Sequence, residues 1–226
     1  MFSRRARQDI RHVRSVAQEE QPHLFALADA VLKNGIDYDC IVTDMIRGYF
    51  PGRVIGDVAT AAALQRGSQE PTRVSIANSG RLFFNYDHRA AIKTYLARVG
   101  ASNWGRTLLV VEHIDSGATA SLLATELEEA GTKVDFAVLS ADSGGRYSEV
   151  LPADHPNSAL YIGRTGVGDP PILSDTLRAA TGFTVFPGLA VPEVVAGSWS
   201  NPVVVAAHQA FDQIAGDYAT ARGLNR

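Results

Sequence analysis

The sequence predicts an α/β protein in which a parallel sheet carries helices on both faces. Candidate strands and helices alternate along the chain with short connections, and strands joined by helices in this way run parallel to one another. The clearest candidate strand is RTLLVVE (106–112), whose run of aliphatic residues is typical of a strand buried on both faces. In sheets of this kind, ligands bind at the carboxyl ends of the strands.

The composition indicates one globular domain. The chain has 226 residues, of which 46% are hydrophobic, and 21 basic against 24 acidic side chains give a net charge of −3. This charge offers no broad positive surface for a nucleic acid or an anionic membrane. No apolar stretch reaches the roughly 18 residues of a membrane span, and the basic N-terminus is not followed by the apolar segment of a signal peptide. We therefore predict a cytoplasmic protein that binds neither nucleic acid nor membrane, with Cys40 as a buried, unreactive thiol.

The first hundred residues carry the patterns of helices and of two strands. Apolar positions recur at helical spacing between residues 3 and 35, which predicts two helices separated near Gln21 and Pro22. The segments that follow are a strand at 38–44, a turn at 45–53, a helix at 54–66, a strand at 72–78 and a helix at 88–100.

The rest of the chain continues this alternation and then becomes less regular. The strand at 106–112 is followed by a helix at 118–131 and a strand at 133–141. After residue 142, glycine and proline are frequent, and the remaining candidates are strands at 159–163 and 183–187 and a helix from Pro202 to about Arg222. We interpret the whole chain, 1–226, as one domain with four parts: N-terminal helices (1–35), a core (36–142), an appendage (143–200) and a C-terminal helix (201–226).

The segment HIDSGAT (113–119) places small and polar residues between a candidate strand and a candidate helix. Ser116, Gly117 and Thr119 would bring amides and hydroxyls to the positive end of that helix, which suits a phosphate, and Gly117 would let the phosphate approach the backbone closely. Glu112 and Asp115 can accept hydrogen bonds from sugar hydroxyls or hold a hydrated Mg²⁺. The alternative interpretation is an ordinary helix cap and turn without a ligand.

The longer segment LLVVEHIDSGAT (108–119) resembles the phosphoribosyl pyrophosphate (PRPP) binding motif of type I phosphoribosyltransferases. The resemblance implies that Asp115, Ser116, Gly117, Ala118 and Thr119 cradle the 5′-phosphate of PRPP. It also implies that Glu112 is the second acid of a pair that holds the ribose hydroxyls, with Glu112 as a ligand of Mg²⁺. Val111 stands where the family has its first acid, and a gap in the alignment would instead place Glu112 and His113 at the pair.

A second segment, DCIVTDMIRGYFPGRVIGDVATAAAL (39–64), resembles the first strand, pyrophosphate loop and following helix of the same family. The resemblance implies that Arg47 and Gly48 form the pyrophosphate loop and that Pro51 begins the helix. It also implies a non-proline cis peptide at Arg47–Gly48 or Gly48–Tyr49. Without the resemblance, Arg47 is a surface arginine and Gly48 an ordinary turn residue.

The resemblance implies a Rossmann-like core with a variable hood that selects the acceptor. It implies a transferase that moves the 5-phosphoribosyl group of PRPP to a ring nitrogen of a small heterocyclic acceptor, with Asp115 as the base and Mg²⁺ as the cofactor. The alternative is a non-catalytic protein that binds PRPP or a nucleotide as a sensor, which the missing acid at Val111 favours. The sequence leaves open whether the chain forms a homodimer.

Further residues are candidates by position alone. The family closes a mobile loop over pyrophosphate, and residues 78–93 occupy the corresponding place. Candidate cations for this loop, and side chains that could contact pyrophosphate or the acceptor, are Arg81, His88, Arg89, Arg146, Tyr161, Asp169, Phe186 and Trp199.

Overall fold

The computed structural model describes residues 4–44, 48–76, 86–166 and 202–224. Six α-helices lie within these residues, besides a short 3-10 helix at Ala101–Asn103: α1 (Arg4–Leu32), α2 (Tyr49–Gln65), α3 (Tyr86–Arg98), α4 (Ala118–Glu129), α5 (Tyr147–Asp154) and α6 (Pro202–Ala221). The strands are β1 (Cys40–Asp44), β2 (Thr72–Ile76), β3 (Arg106–Ile114), β4 (Lys133–Asp142) and β5 (Leu160–Gly166). They form one parallel sheet in the order β2-β1-β3-β4-β5, which confirms the predicted fold class.

Helices cover both faces of the sheet. One apolar cluster joins β3 to α1, α2 and α6 through Leu108 and Val110. The other joins β3 to α3, α4 and α5 through Leu109 and Val111. Because successive side chains of a strand point to opposite faces, the aliphatic run in β3 is buried on both sides, as the sequence predicted.

The predicted break near Gln21 and Pro22 is wrong, because α1 continues through Pro22. Proline removes one helical hydrogen bond and costs about 3 kcal/mol inside a helix. Pro22 lies on the exposed side of α1, whereas Val16 and Leu24 on either side of it are buried in the same core cluster. Since burial of each aliphatic side chain contributes about 1.5–3 kcal/mol, tertiary packing holds the two halves in one helix.

Other boundaries differ from the sequence patterns. The helix predicted at 54–66 begins at Tyr49, so Pro51 lies in its first turn, and β3 continues past Glu112 to Ile114. The appendage predicted after residue 142 contributes β5 to the sheet, and it contains α5, which the sequence patterns did not indicate. The candidate strand at 183–187 lies outside the described residues.

A buried polar network closes the amino end of the sheet. Asp135 is 1% exposed. It accepts hydrogen bonds from the Tyr38 hydroxyl at 2.9 Å, from Arg106 Nε at 2.7 Å and from the Ala159 amide at 2.7 Å. The Tyr38 hydroxyl also lies 3.1 Å from that of Tyr161, and burial raises the pKa of Tyr38. Tyr161 therefore lies at the end of the sheet opposite to the ligand edge, which argues against it as an acceptor contact.

Cys40 is fully buried in β1, and burial raises the pKa of its thiol to about 12. The predicted burial of Cys40 is confirmed, and because a thiol reacts as its thiolate, burial disfavours the reactive form. None of the described helices combines the length and the apolar character needed to cross a bilayer.

Candidate functional site

The candidate site lies where the order of the strands reverses. β1 and β3 are parallel neighbours, but the chain leaves β1 toward β2 and leaves β3 toward β4. The helices that follow these two strands, α2 and α4, pack on opposite faces of the sheet. Their first turns therefore diverge at the carboxyl ends of β1 and β3, and the crevice expected between such turns is the usual place for a ligand in a sheet of this kind.

The first turn of the site leads from β1 into α2. Gly48 precedes α2 with φ −103° and ψ −8°, and its carbonyl accepts the first helical hydrogen bond from the Gly52 amide at 2.7 Å. The Gly48–Tyr49 peptide is trans, so the cis peptide expected there is absent, and Arg47 lies outside the described residues. Gly48 is thus located at the carboxyl edge beside the second turn.

Gly52 explains how closely α2 approaches the sheet. A Cβ atom built on Gly52 would lie 2.0 Å from Cγ2 of Thr43 and 3.7 Å from Cβ of Val110. Only glycine fits at this distance, because real Cβ atoms do not approach neighbours below about 3 Å. The contact holds the start of α2 directly over the ends of β1 and β3.

Aromatic side chains anchor the same end of α2 to α6. The rings of Tyr49 and Phe50 lie 5.6 Å and 5.5 Å from that of His208, both in edge-on or tilted arrangements. Arg53 and Asp212 add a bidentate ion pair across the two helices. Burial and the Arg53 charge lower the pKa of His208, so its neutral form is favoured in this cluster.

The second turn contains the five residues of the predicted phosphate cradle. Asp115 and Ser116 follow β3 and are exposed, Gly117 has φ +77° and precedes α4, and Ala118 and Thr119 are the first residues of α4. The Ser116 hydroxyl accepts a hydrogen bond from the Ala118 amide at 3.3 Å.

The amides at the start of α4 supply the donors that a phosphate needs. Those of Thr119 and Ala120 donate to no acceptor among residues 4–44, 48–76, 86–166 and 202–224. They are the orphan donors at the positive end of a helix, where an anion is favoured.

The role of Gly117 differs from the one predicted. A Cβ atom on Gly117 would point toward α5, to 3.2 Å from Cγ of Leu151 and 3.3 Å from Cα of Tyr147. The missing side chain therefore makes room for α5, not for a phosphate. A positive φ, which disfavours other residues, is the second reason for glycine here.

Glu112 and Val111 lie inside β3 and not in the turn. Val111 is 7% exposed and packs in the apolar cluster beneath α4. Glu112 is 6% exposed. No group of three or more His, Cys, Asp or Glu side chains in the described part of the chain is arranged to hold a metal ion. Coordination of Mg²⁺ by Glu112 therefore remains a prediction.

The structure describes the side chains of two more candidate residues, Arg89 and Arg146. Arg89 donates to the buried Glu126 of α4 at 2.6 Å, so it anchors α3 to α4. Arg146 precedes α5, and its side chain is 77% exposed beside Glu149. His88 lies in the first turn of α3, and nothing is described for its side chain. Four other candidates lie outside the described residues: Arg81, Asp169, Phe186 and Trp199.

Sequence reasoning missed the loop between β4 and α5 as a neighbour of the phosphate turn. The Tyr147 amide donates to the Asp115 carbonyl at 3.2 Å, and a Cβ atom on Gly145 would lie 2.3 Å from the same oxygen. The consecutive glycines in SGGR (143–146) are the sequence signal of this close approach.

Comparison with known proteins leaves the family unassigned. No protein-family model matches the chain, and no curated protein matches it. One solved structure that resembles it is the crystal structure of a hypothetical protein from Neisseria gonorrhoeae with bound ppGpp. The two chains are 17% identical, the alignment covers 71% of this chain and 90% of the other, and the TM-score is 0.45. The ligand of this protein must therefore be inferred from its own residues.

Proposed function

We propose that this protein is a PRPP-dependent phosphoribosyltransferase. It moves the 5-phosphoribosyl group to a ring nitrogen of a nucleobase-like acceptor and releases pyrophosphate. The observation that carries the proposal is the pair of turns, Gly48 after β1 and Asp115 to Thr119 after β3, which follow neighbouring strands at the point where the strand order reverses. A cytoplasmic location is part of the proposal.

The turn at Asp115 to Thr119 suits a phosphate monoester. Orphan amides at the start of α4 and the exposed Ser116 hydroxyl can donate to its oxygens, and the helix dipole adds a favourable field. A sugar attached to this phosphate extends along the crevice toward Gly48. The leaving pyrophosphate then meets the first turn of α2, where helix amides again favour negative charge.

Asp115 is the residue of this turn that fits a role in chemistry. Its carboxylate is exposed and can accept the proton of the incoming nitrogen. Mg²⁺ is commonly held by one or two carboxylates together with substrate phosphates, so Asp115, with Glu112, fits a PRPP-bound ion. When bound, the metal would supply positive charge to the leaving pyrophosphate. Glu112 fits this role less well because β3 and its neighbours cover it.

A non-catalytic sensor of PRPP or a nucleotide is the second candidate, and Val111 favours it. An apolar, buried side chain stands where the type I motif has an acid, so the ribose contact of that acid would be missing. A protein that binds the phosphate but lacks one ribose contact would retain binding and lose turnover.

Two measurements separate these candidates. A thermal shift titration with PRPP, with and without Mg²⁺, tests binding, because a ligand of the native state raises the melting temperature. Pyrophosphate release in the presence of a panel of purine and pyrimidine bases tests turnover. Binding with release supports the transferase, binding without release supports the sensor, and the absence of binding refutes both.

Asp115→Asn tests the role of the carboxylate. The amide keeps the shape of the side chain but cannot accept a proton, so we expect PRPP affinity to change less than threefold while pyrophosphate release falls about 10²-fold or more. Glu149→Gln is the control, since it neutralises another exposed acid near the site, 73% exposed on α5. Equal losses of binding and turnover in Asp115→Asn would remove Asp115 as the base.

A further inference from the structure

Helix α5 forms the support behind the phosphate turn. Its first residue, Tyr147, donates its amide to the Asp115 carbonyl, and Tyr147 and Leu151 pack directly against Gly117. The Gly117 carbonyl in turn accepts the Ser121 amide at 2.8 Å within α4. The conformation of the turn therefore depends on how α5 is held against α4.

A chain of polar contacts holds the other end of α5 against α4. His155 directly follows α5 and is 3% exposed. Its Nδ1 lies 2.9 Å from the Glu128 carboxylate, and its Nε2 lies 3.1 Å from the Ser121 hydroxyl and 3.2 Å from the Ser121 carbonyl. The Ser121 hydroxyl donates to the Asp154 carboxylate at 2.6 Å. We call these four residues the α4–α5 brace.

The hydrogen-bond inventory of the brace requires a charged imidazole. A carboxylate and a carbonyl only accept, so Nδ1 must donate to Glu128 and Nε2 must donate toward the Ser121 carbonyl. The Ser121 hydroxyl gives its single proton to Asp154, so toward His155 it also accepts. Both ring nitrogens therefore carry protons when every contact of the brace is made. A neutral ring has only one N–H and loses one of the two contacts.

The brace is not a nucleophile with its base. In a catalytic serine the hydroxyl donates to the imidazole, whereas here it donates to Asp154. Ser121 is also 6% exposed, so a substrate cannot reach its oxygen. The positions of these residues fit a structural role at the interface of α4 and α5.

We propose that the α4–α5 brace is a proton-dependent positioning device for the anion site at Asp115 to Thr119, with His155 as its positioning residue. The link between the brace and a phosphate ligand rests on the proposed function. With His155 charged, α5 is pinned at both ends and Gly117 is held in the conformation that presents the α4 amides. When His155 loses its proton, one contact of the brace opens, α5 loosens and the site binds anions less tightly.

The hydrogen bonds around His155 give the direction of the effect, because only the doubly protonated ring makes all of them. The charged groups that face it are Glu128 from α4 and, through Ser121, Asp154 from α5. β4 contributes only the Phe136 ring, 5.4 Å from the imidazole. Among the described residues no cation contacts the ring in this brace. Anion binding is therefore expected to weaken as the pH rises.

The test uses sulfate as the anion probe, because sulfate keeps one charge state between about pH 6 and pH 9, whereas phosphate titrates in this range. Sulfate affinity is measured by NMR titration of the amides of Thr119 and Ala120. Hydrogen exchange of residues 115–121 is measured in parallel without sulfate, corrected for the intrinsic pH dependence of exchange. From low to high pH, we expect sulfate affinity to fall about tenfold and exchange of the turn to accelerate, since a charge-assisted hydrogen bond is lost.

Three variants complete the experiment. In His155→Gln, sulfate affinity and hydrogen exchange should be independent of pH, at the level that the wild type shows at high pH. Glu128→Gln keeps an acceptor for Nδ1 but removes the charge, so its transition should occur at lower pH than in the wild type. Glu129→Gln is the matched control, because the neighbouring Glu129 pairs with Lys93 of α3 and not with α5. It should behave as the wild type.

The outcomes distinguish the two proposals. The brace is overturned, even if PRPP binds, by either of two results. One is that residues 115–121 of His155→Gln exchange as in the wild type, and the other is that Glu128→Gln does not shift the pH response. A turn whose exchange depends on pH and on His155, in a protein that binds neither sulfate nor PRPP, supports the brace and refutes the proposed function.

Discussion

The contact between Gly52 and Thr43 predicts a large loss of stability in Gly52→Ala. The new Cβ atom would lie 2.0 Å from Cγ2 of Thr43, and Thr43 is held by a 2.8 Å hydrogen bond to Ser75. Overpacking of this kind costs about 1–3 kcal/mol. Rotation of Thr43 would leave its Cβ atom 3.2 Å from the new methyl group and would lose a hydrogen bond worth about 1 kcal/mol, which offsets the roughly 1 kcal/mol that alanine in place of glycine returns in a helix. The free energy of unfolding should therefore fall by about 1–3 kcal/mol.

Gly216→Ala is the matched control, because Gly216 lies inside α6 and a Cβ atom there would meet nothing within 4 Å. This variant should gain about 0.5–1 kcal/mol from helix propensity alone. The assay is urea unfolding followed by circular dichroism, in which a shifted midpoint at constant slope reports a change in stability. Adding Thr43→Ser to Gly52→Ala removes Cγ2 but keeps the hydroxyl, and it should restore most of the loss. Equal stability of the two alanine variants, or no rescue by the serine, would refute the close approach of α2 to β1.

Three further predictions concern stability. Gly117→Ala should lower the free energy of unfolding by about 1–2 kcal/mol because of its positive φ. Gly35→Ala has the same backbone strain but open space around the new methyl group, so Gly117→Ala, whose methyl group also meets α5, should lose more. Equal losses in urea unfolding would argue against the packing behind the turn. Asp135→Asn replaces one acceptor oxygen of the amino-end network by a donor, so it should lower the free energy of unfolding by about 2–4 kcal/mol. A loss below about 1 kcal/mol would show that the network is solvated. The pKa of His208 is lowered from 6.5, so below that pH the unfolded chain binds more protons than the folded chain, and the free energy of unfolding should decline. In urea titrations at about pH 7.5 and 5.5, His208→Leu should reduce this decline. An unchanged decline would exclude His208 as its source.

Much of the architecture was predictable because its signals are local. The aliphatic run of β3, the alternation of strand and helix patterns, and the glycines at element ends each report a conformation that neighbouring residues impose. From these signals follow the parallel sheet, the helices on both faces and the placement of the Gly48 and Asp115 turns at the carboxyl edge. The order of the strands, which brings the two turns side by side, was not readable from these patterns.

The details of the candidate site were less predictable because they depend on contacts between distant segments. Gly117 was predicted to face a phosphate and instead faces α5, which has no distinctive pattern in the sequence. Val111 could be aligned with an acid but is buried beneath α4. A residue's environment in a sheet depends on which helix covers that face, and this is decided by the packing of the whole chain.

The sequence by itself determined the local chemistry of this protein: which segments form strands and helices, and which turns carry the amides, hydroxyls and carboxylate suited to a phosphate. Hydrophobic period and turn preference act over a few residues, so they can be recognised without a structure. Only the tertiary structure decided that α1 continues through Pro22, that α2 lies close enough to the sheet to require Gly52, and that His155 joins Ser121 across 34 positions of sequence. These features arise from burial and hydrogen bonding between distant segments, and such contacts exist only once the chain has folded.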